Sequence, residues 1–273
     1  MRRGVIIAMM MACLAALSSC GIVDISGLVR SGDVDDRFSE NALLPEKSNL
    51  SFSDAIFSFI VITDTHVANA AHSKLAALKD KVLPGDKFIL ICGDISQCGY
   101  LEDYQAFCLY LNQTNLPYYT AIGNHDLYFG GWHNYKQTLG RSCYSVTAGP
   151  VRIISMDSAN GALGRPQKLW LENVLQSKTE PLCMVITHFE FFNAKKDGLQ
   201  QYTDIEEVYY LMHLFETTGV DYVFMGHSHT YDYRKINNVN YLNLPDFADE
   251  GLPKSYIRVN VDHGVITYQR VLL

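Results

Sequence analysis

Short apolar runs alternate along this chain with stretches whose apolar positions recur at helical spacing. Residues 56–63, 88–92, 118–122, 183–187 and 222–225 are dense in Ile, Val, Phe and Tyr and predict strands. Between them, residues 68–82 place Leu75, Leu78 and Val82 in helical phase before Pro84-Gly85 stops the pattern. Residues 101–111, with Phe107, Tyr110 and Leu111 in phase, predict a second helix, and residues 169–175 (after Pro166) and 205–215 two more. Residues 144–146 and 151–156 flank Ala148-Gly149-Pro150 as a hairpin, and residues 231–273 alternate strands with turns at Asn237-Asn238 and His263-Gly264. Strand–helix alternation followed by hairpins predicts a layered α/β domain with a mixed sheet. No repeat or low-complexity segment interrupts it.

The N-terminal region reads differently. Arg2 and Arg3 precede an uncharged apolar stretch over residues 5–17, and Leu17-Ser18-Ser19-Cys20 closes it. The stretch is shorter than the ~20 residues of a spanning helix, so residues 1–20 read as a cleaved signal. Leu-Ser-Ser-Cys resembles a bacterial lipobox, which implies a lipid on Cys20 and attachment to a membrane of the bacterial cell envelope. By the same resemblance, Gly21 in the place of an Asp points to outer-membrane sorting where the source has an outer membrane. An ordinary signal peptide cleaved near the same point is the other reading. Residues 21–52 are polar and weakly patterned and are expected to be a tether, packing in part on the domain that fills residues 53–273.

Composition narrows the function without naming it. A chain of 273 residues with a formal net charge of −7 has the core of a globular domain but no basic surface for a polynucleotide backbone. A small phosphorylated substrate remains compatible, because bound metal charge can dominate a local field. Of the seven cysteines, Cys13 leaves with the signal and Cys20 carries the lipid. Cys92, Cys98, Cys108, Cys143 and Cys183 have no zinc-knuckle or disulfide-scaffold spacing, though one pair could bridge.

The chemistry stands at the carboxyl ends of the predicted strands, where ligands collect in layered α/β domains. Apolar residues lead into Asp64-Thr65-His66, Gly93-Asp94, Gly123-Asn124-His125-Asp126, Thr187-His188 and Gly226-His227-Ser228-His229. Singly, most are ordinary turns, but Gly-Asn-His-Asp arises by chance in roughly one such chain in several hundred. Carboxylates, imidazoles and a side-chain amide form a nitrogen–oxygen set suited to Zn, Fe or Mn. Two ions about 3.5–4 Å apart need a ligand that bridges them, and Asp94 can do so through its two oxygens.

This ordered set resembles the calcineurin-like metallophosphoesterase superfamily over residues 64–229. The resemblance implies a four-layer αββα sandwich, two mixed β-sheets flanked by helices, and two divalent metal ions (Mn, Fe or Zn). It implies that Asp64, His66, Asp94 and His229 hold one ion and that Asp94, Asn124, His188 and His227 hold the other. It also implies that a metal-bridging hydroxide attacks a phosphodiester, or a phosphomonoester, of a small substrate. His125 would contact the substrate phosphate and assist the leaving group, with Asp126 as its orienting carboxylate. Gly-Asn-His-Asp is similar to the cyclic nucleotide phosphodiesterase branch. However, that branch often shows His-His-Pro where this chain has His188-Phe189-Glu190, which weakens the case for a cyclic nucleotide. A metal-loaded envelope lipoprotein without turnover is the alternative. Tyr128, Phe129, Trp132 and His133, and Phe189, Phe191 and Phe192 with Lys195 and Lys196, either form an aromatic and basic substrate rim or pack their loops.

Overall fold

The computed structural model describes residues 33–192, 201–249 and 254–273. The expected signal 1–20 with Cys20, tether residues 21–32, and Lys195 and Lys196 lie outside them. No helix of the described residues is long and apolar enough to cross a membrane.

The chain runs α1 (Val34–Asn41), β1 (Ile56–Ile62), α2 (Ser73–Ala77) with a 3-10 turn (Leu78–Lys81), and β2 (Asp86–Cys92). Next come α3 (Leu101–Asn112), β3 (Tyr118–Ala121), a 3-10 segment (His125–Gly130), α4 (Gly131–Thr138), β4 (Tyr144–Ala148) and β5 (Val151–Ser155). Then follow α5 (Arg165–Ser177), β6 (Leu182–Ile186), α6 (Ile205–Thr218) and β7 (Tyr222–Met225). The antiparallel strands β8 (Asp232–Ile236), β9 (Val239–Asn243), β10 (Ser255–Asp262) and β11 (Val265–Leu272) end the chain.

The strands form two mixed sheets, ordered β11-β10-β1-β2-β3 and β4-β5-β6-β7-β9-β8. Strands β1, β2 and β3 are parallel, as are β5, β6, β7 and β9, so their carboxyl ends open on one side. Strands covered on both faces are apolar nearly throughout, which is why β6 reads as an unbroken run and β1 and β2 as near-continuous ones, broken only by Ser58 and by Asp86-Lys87. Phe59, Phe88 and Tyr119 of the first sheet meet Val146, Ile153, Met184 and Phe224 of the second. On the outer face of the first sheet, Leu75, Phe107, Leu111 and Tyr135 of the helices cover Ile60, Ile62, Ile89 and Ile91. On that of the second, Leu171, Leu175, Leu211 and Phe215 cover Val185 and Val223. The result is the four-layer αββα sandwich, with two sheets where patterning alone predicted one.

One local expectation needs correction. The helix expected over residues 68–82 is confined to Ser73–Ala77 and the turn after it. His72 caps the amide of Leu75, and the residues before it are drawn into a loop where Val67 donates to the Ile95 carbonyl. Residues 33–52 lie against the domain. Asp33 caps α1 through the amide of Asp35, and Val34, Arg37 and Asn41 are buried against the domain. Leu50 then pairs beside Ala148 at the edge of the second sheet.

Candidate metal centre

Five loops at the carboxyl ends of β1, β2, β3, β6 and β7 bring together all seven expected ligands, three loops from one sheet and two from the other. Asp64, His66 and His229 offer donor atoms within 4.8 Å of one another, as do Asp94, His188 and His227. Asp94 faces both groups: its Oδ2 lies 3.8 Å from His66 Nε2 and 3.2 Å from His188 Nε2. Asp64 Oδ1 is 3.1 Å from His229 Nε2 and 3.7 Å from His66 Nε2. Asn124 Oδ1 sits 3.0 Å from His188 Nε2.

The loops bend sharply to achieve this. Asp64, His66, Asp94, His227 and His229 all adopt positive φ, between 45° and 74°, a region that non-glycine residues rarely occupy and that clusters at functional sites. Two motif glycines are required by close approach. A Cβ on Gly123 would lie 2.1 Å from Asp94 Oδ1, and one on Gly226 would lie 2.4 Å from Asp64 Oδ2. Backbone amides complete the cradle, that of His125 donating to Asp94 Oδ1 at 2.9 Å and that of His227 to Asp64 Oδ2 at 3.0 Å.

The donor set can be tested for a cation from its own geometry. His188 Nδ1 faces the Cys92 carbonyl at 2.9 Å, so it carries the proton and Nε2 of the neutral ring is a bare lone pair. That lone pair faces Asn124 Oδ1, Asp94 Oδ2 and His227 Nδ1, the last at 3.3 Å. His66 Nε2 and His229 Nε2 approach each other to 3.2 Å beside Asp64. Converging lone pairs of this kind suit a positive charge. The electrostatics agree. Burial would raise the Asp64 carboxyl, but hydrogen bonds from His229 and His66 win and hold it well below the usual range. Burial opposes charge at Asp94 too, yet His188 and His125 keep it ionised far into acid. Burial works against a charged His188, but Asp94 raises that ring to about 9. The pocket calls for positive charge, which a proton or a divalent cation can meet, and the residues fit the expected metals in number and type.

His125 stands beside the cluster, its ring 4.6 Å from that of His66. Its Nδ1 lies 2.8 Å from the Gln97 carbonyl, which fixes the proton there and leaves Nε2 free. The expected orienting role of Asp126 is not what the structure shows. Asp126 accepts the amides of Ser96 (3.0 Å), Ile95 (3.1 Å) and Gly123 (2.9 Å) and the hydroxyl of Tyr104 (3.0 Å). With its oxygens committed to those donors, it ties the β2 loop to the β3 loop rather than turning the imidazole. Burial and then the nearby Asp94 carboxylate raise its pKa to about 6. Gln97 and Tyr104 are the site residues that sequence reasoning missed. A backbone carbonyl carries no side-chain signal, and Tyr104 reads as one more apolar position of α3.

The substrate-rim idea divides. Tyr128, Trp132, Phe189 and Phe191 are buried and pack their loops, while Phe129 is exposed. Trp132 donates Nε1–H to Glu40 at 2.8 Å and stacks on Tyr135. The cleft over the centre, about 680 Å³, is lined instead by Asn69, Gln97, Asp246 and Asp249 with small alanines. All five cysteines of the described residues are free.

A family model described as calcineurin-like phosphoesterase matches residues 57–231. No curated protein sequence matches the chain. Among solved structures, it is similar to a purple acid phosphatase from yellow lupin (Lupinus luteus) seeds. The TM-score is 0.65 and the identity 17%, over 81% of this chain and 52% of that one. It is also similar to GAP50, the anchor in the inner membrane complex of Plasmodium, with TM-score 0.57 and 14% identity over 80% and 85% of the two chains. A third is PhoD, with TM-score 0.55 and 10% identity over 81% and 66%. The chain thus spans about half the length of the lupin phosphatase. At these identities the structural likeness speaks for the fold.

Proposed function

The chain belongs to the calcineurin-like phosphoesterase family, and from that premise we propose that it is a dinuclear metal-dependent hydrolase of a small phosphodiester. The observation that carries this reading is the sharing of Asp94 between two donor groups, one with Asp64, His66 and His229, the other with Asn124, His188 and His227. Bound there, two divalent ions would supply Lewis-acid polarisation of the phosphoryl group and a water of lowered pKa.

The protein's own part is orientation and proton movement. Gln97 holds the Nδ1 proton of His125, so Nε2 is the nitrogen that meets substrate. Protonated at Nε2, His125 can hand its proton to the departing alkoxide, a role typically worth 10²–10⁴ in rate. Burial lowers the pKa of His125 below the ordinary imidazole value, and the Asp94 carboxylate opposes that fall. Asp126 keeps the Asp94 and Asn124 loops in register. Preference for diesters rests on the cleft: among the described residues that line it stand Asp246 and Asp249 and no lysine or arginine, and the nearby Lys254 is already paired with Asp246, which gives a phosphomonoester dianion little support beyond the centre. Attachment to a bacterial envelope through lipidated Cys20 is part of the same proposal and would place the substrate outside the cytoplasm.

Hydrolysis of bis(p-nitrophenyl) phosphate against p-nitrophenyl phosphate by metal-stripped protein, with Mn, Fe or Zn restored, tests it. Metal-dependent release, abolished in Asn124→Ala and lowered 10²–10⁴-fold in His125→Ala, is the expected outcome. A folded protein that binds metal but releases nothing would overturn it.

A further inference from the structure

Beyond the ligands, Arg37 on α1 is among the largest fully buried side chains of the described residues, in a stretch the sequence presented as a tether. Its Nε and Nη2 meet Asp157 Oδ2 and Oδ1 at 2.8 and 2.7 Å. Asp157 follows β5, so the pair lies at the same end of the sandwich as the metal centre. A contiguous path then leads to a ligand. Asp157 Oδ1, fixed by Arg37, also accepts the amide of Ala159 at 3.2 Å and closes a turn around Ser158. Ser158 Oγ in turn accepts the Thr187 hydroxyl at 2.9 Å and the Phe189 amide at 3.0 Å. Thr187 and Phe189 flank His188, so one hydroxyl steadies the backbone on both sides of that ring.

The same short helix reaches the other sheet. Glu40, one turn along, accepts Nε1–H of Trp132 at 2.8 Å and pairs with Lys136. Both belong to α4, which leads directly out of the segment holding His125 and Asp126. Asn41 adds a bond to the Ser142 amide at 2.8 Å. Thus α1 is attached to the β5–β6 side through Arg37 and to the α4 side through Glu40.

We infer that Arg37 is a positioning residue for the metal centre, holding His188 in place through Asp157 and Ser158, so that residues 33–41 are a working part of the site. This rests on the proposed dinuclear reading. Outer-shell partners typically change metal affinity 10–100-fold. The path touches only the side of the centre built from His188. The Asp64, His66 and His229 side hangs on other contacts, among them the amide of Phe247 on the Asp64 carbonyl.

The test is calorimetric titration of metal-stripped full-length protein with Mn²⁺, in wild type, Arg37→Met and Ser158→Ala. Two binding steps are expected in the wild type. Each variant should keep one step unchanged and weaken the other by about tenfold or more. Ser158→Ala leaves the Arg37–Asp157 pair intact, so it decides the matter even if Arg37→Met does not fold. Both steps unchanged, or both weakened alike, would overturn the inference. A wild type with no binding step would instead defeat the dinuclear reading on which it stands.

Discussion

Asp94 and Asp157 occupy matching places: each follows a parallel strand, and each is 1% exposed. Their company differs. Asp157 has a guanidinium of the chain itself in bidentate contact, with the Ser142 hydroxyl filling a further position at 2.9 Å. Asp94 faces four imidazoles and a backbone amide, and its φ is strained at 50°. A buried carboxylate that carries its own permanent cation is complete and can only be structural. One ringed by imidazoles is complete only when something positive, a proton or a metal ion, arrives. The difference separates a strut from a site without reference to any relative.

The sharpest way to break this contrast is to neutralise each carboxylate or its partner. Asp94→Asn should bring metal-dependent phosphodiester hydrolysis down to the rate of an enzyme-free control. The melting point of the metal-stripped protein should fall less than in Arg37→Met, because the His188 ring that Asp94 holds protonated can shed its proton, whereas a guanidinium cannot. Arg37→Met should do the reverse to the fold. Stripping the partner from a buried charge costs about 3–5 kcal/mol, roughly 6–20 °C in melting temperature for a domain of this size. Equal losses of stability in the two variants would erase the distinction.

A milder test uses pH. His188 holds its proton up to about 9 because Asp94 outweighs the effect of burial, so an ion binding below that pH must displace the proton. Apparent Mn²⁺ affinity should therefore rise with pH and level off near 9, by up to about tenfold per unit for one displaced proton. Titrations at pH 7 and pH 8.5 check it. A flat profile would mean that this ring is not a ligand. The smallest effect is expected at Trp132, which belongs to the strut side of the comparison. Trp132→Phe removes one hydrogen bond to Glu40, about 1 kcal/mol, and should leave kcat/KM unchanged across a set of phosphodiesters. A changed specificity would restore the aromatic rim.

How much was legible in the sequence follows the same line. The strand ends could be read because each ligand cluster interrupts an apolar run, and buried parallel strands have no other reason to stop at Asp or His. The pairing of clusters across two sheets could not be read from periodicity, since it is set by tertiary packing. Asp126 misled because it is next to His125 in the chain, whereas the turn into the 3-10 segment sends its carboxylate toward the β2 loop. Residues 33–41 looked like a tether because a short helix with two acids in its first turn has little apolar content. The available signal was the cap itself, Asp33 ahead of Asp35 and Asp36, a helix start in an otherwise unpatterned stretch.

The first sheet also dictates when this protein can fold. Its central strand β1 lies between β2 and β10, with Ile56 opposite Asp262. A ribosome releasing the chain from its N-terminal end therefore delivers β1 to β3, with Asp64, Asp94 and Asn124 in the loops after them, long before the strand that shields the open flank of β1. Until Asp262 emerges, that flank is an unpaired apolar edge of the kind that invites mispairing. The half-made chain is thus the species most exposed to mispairing.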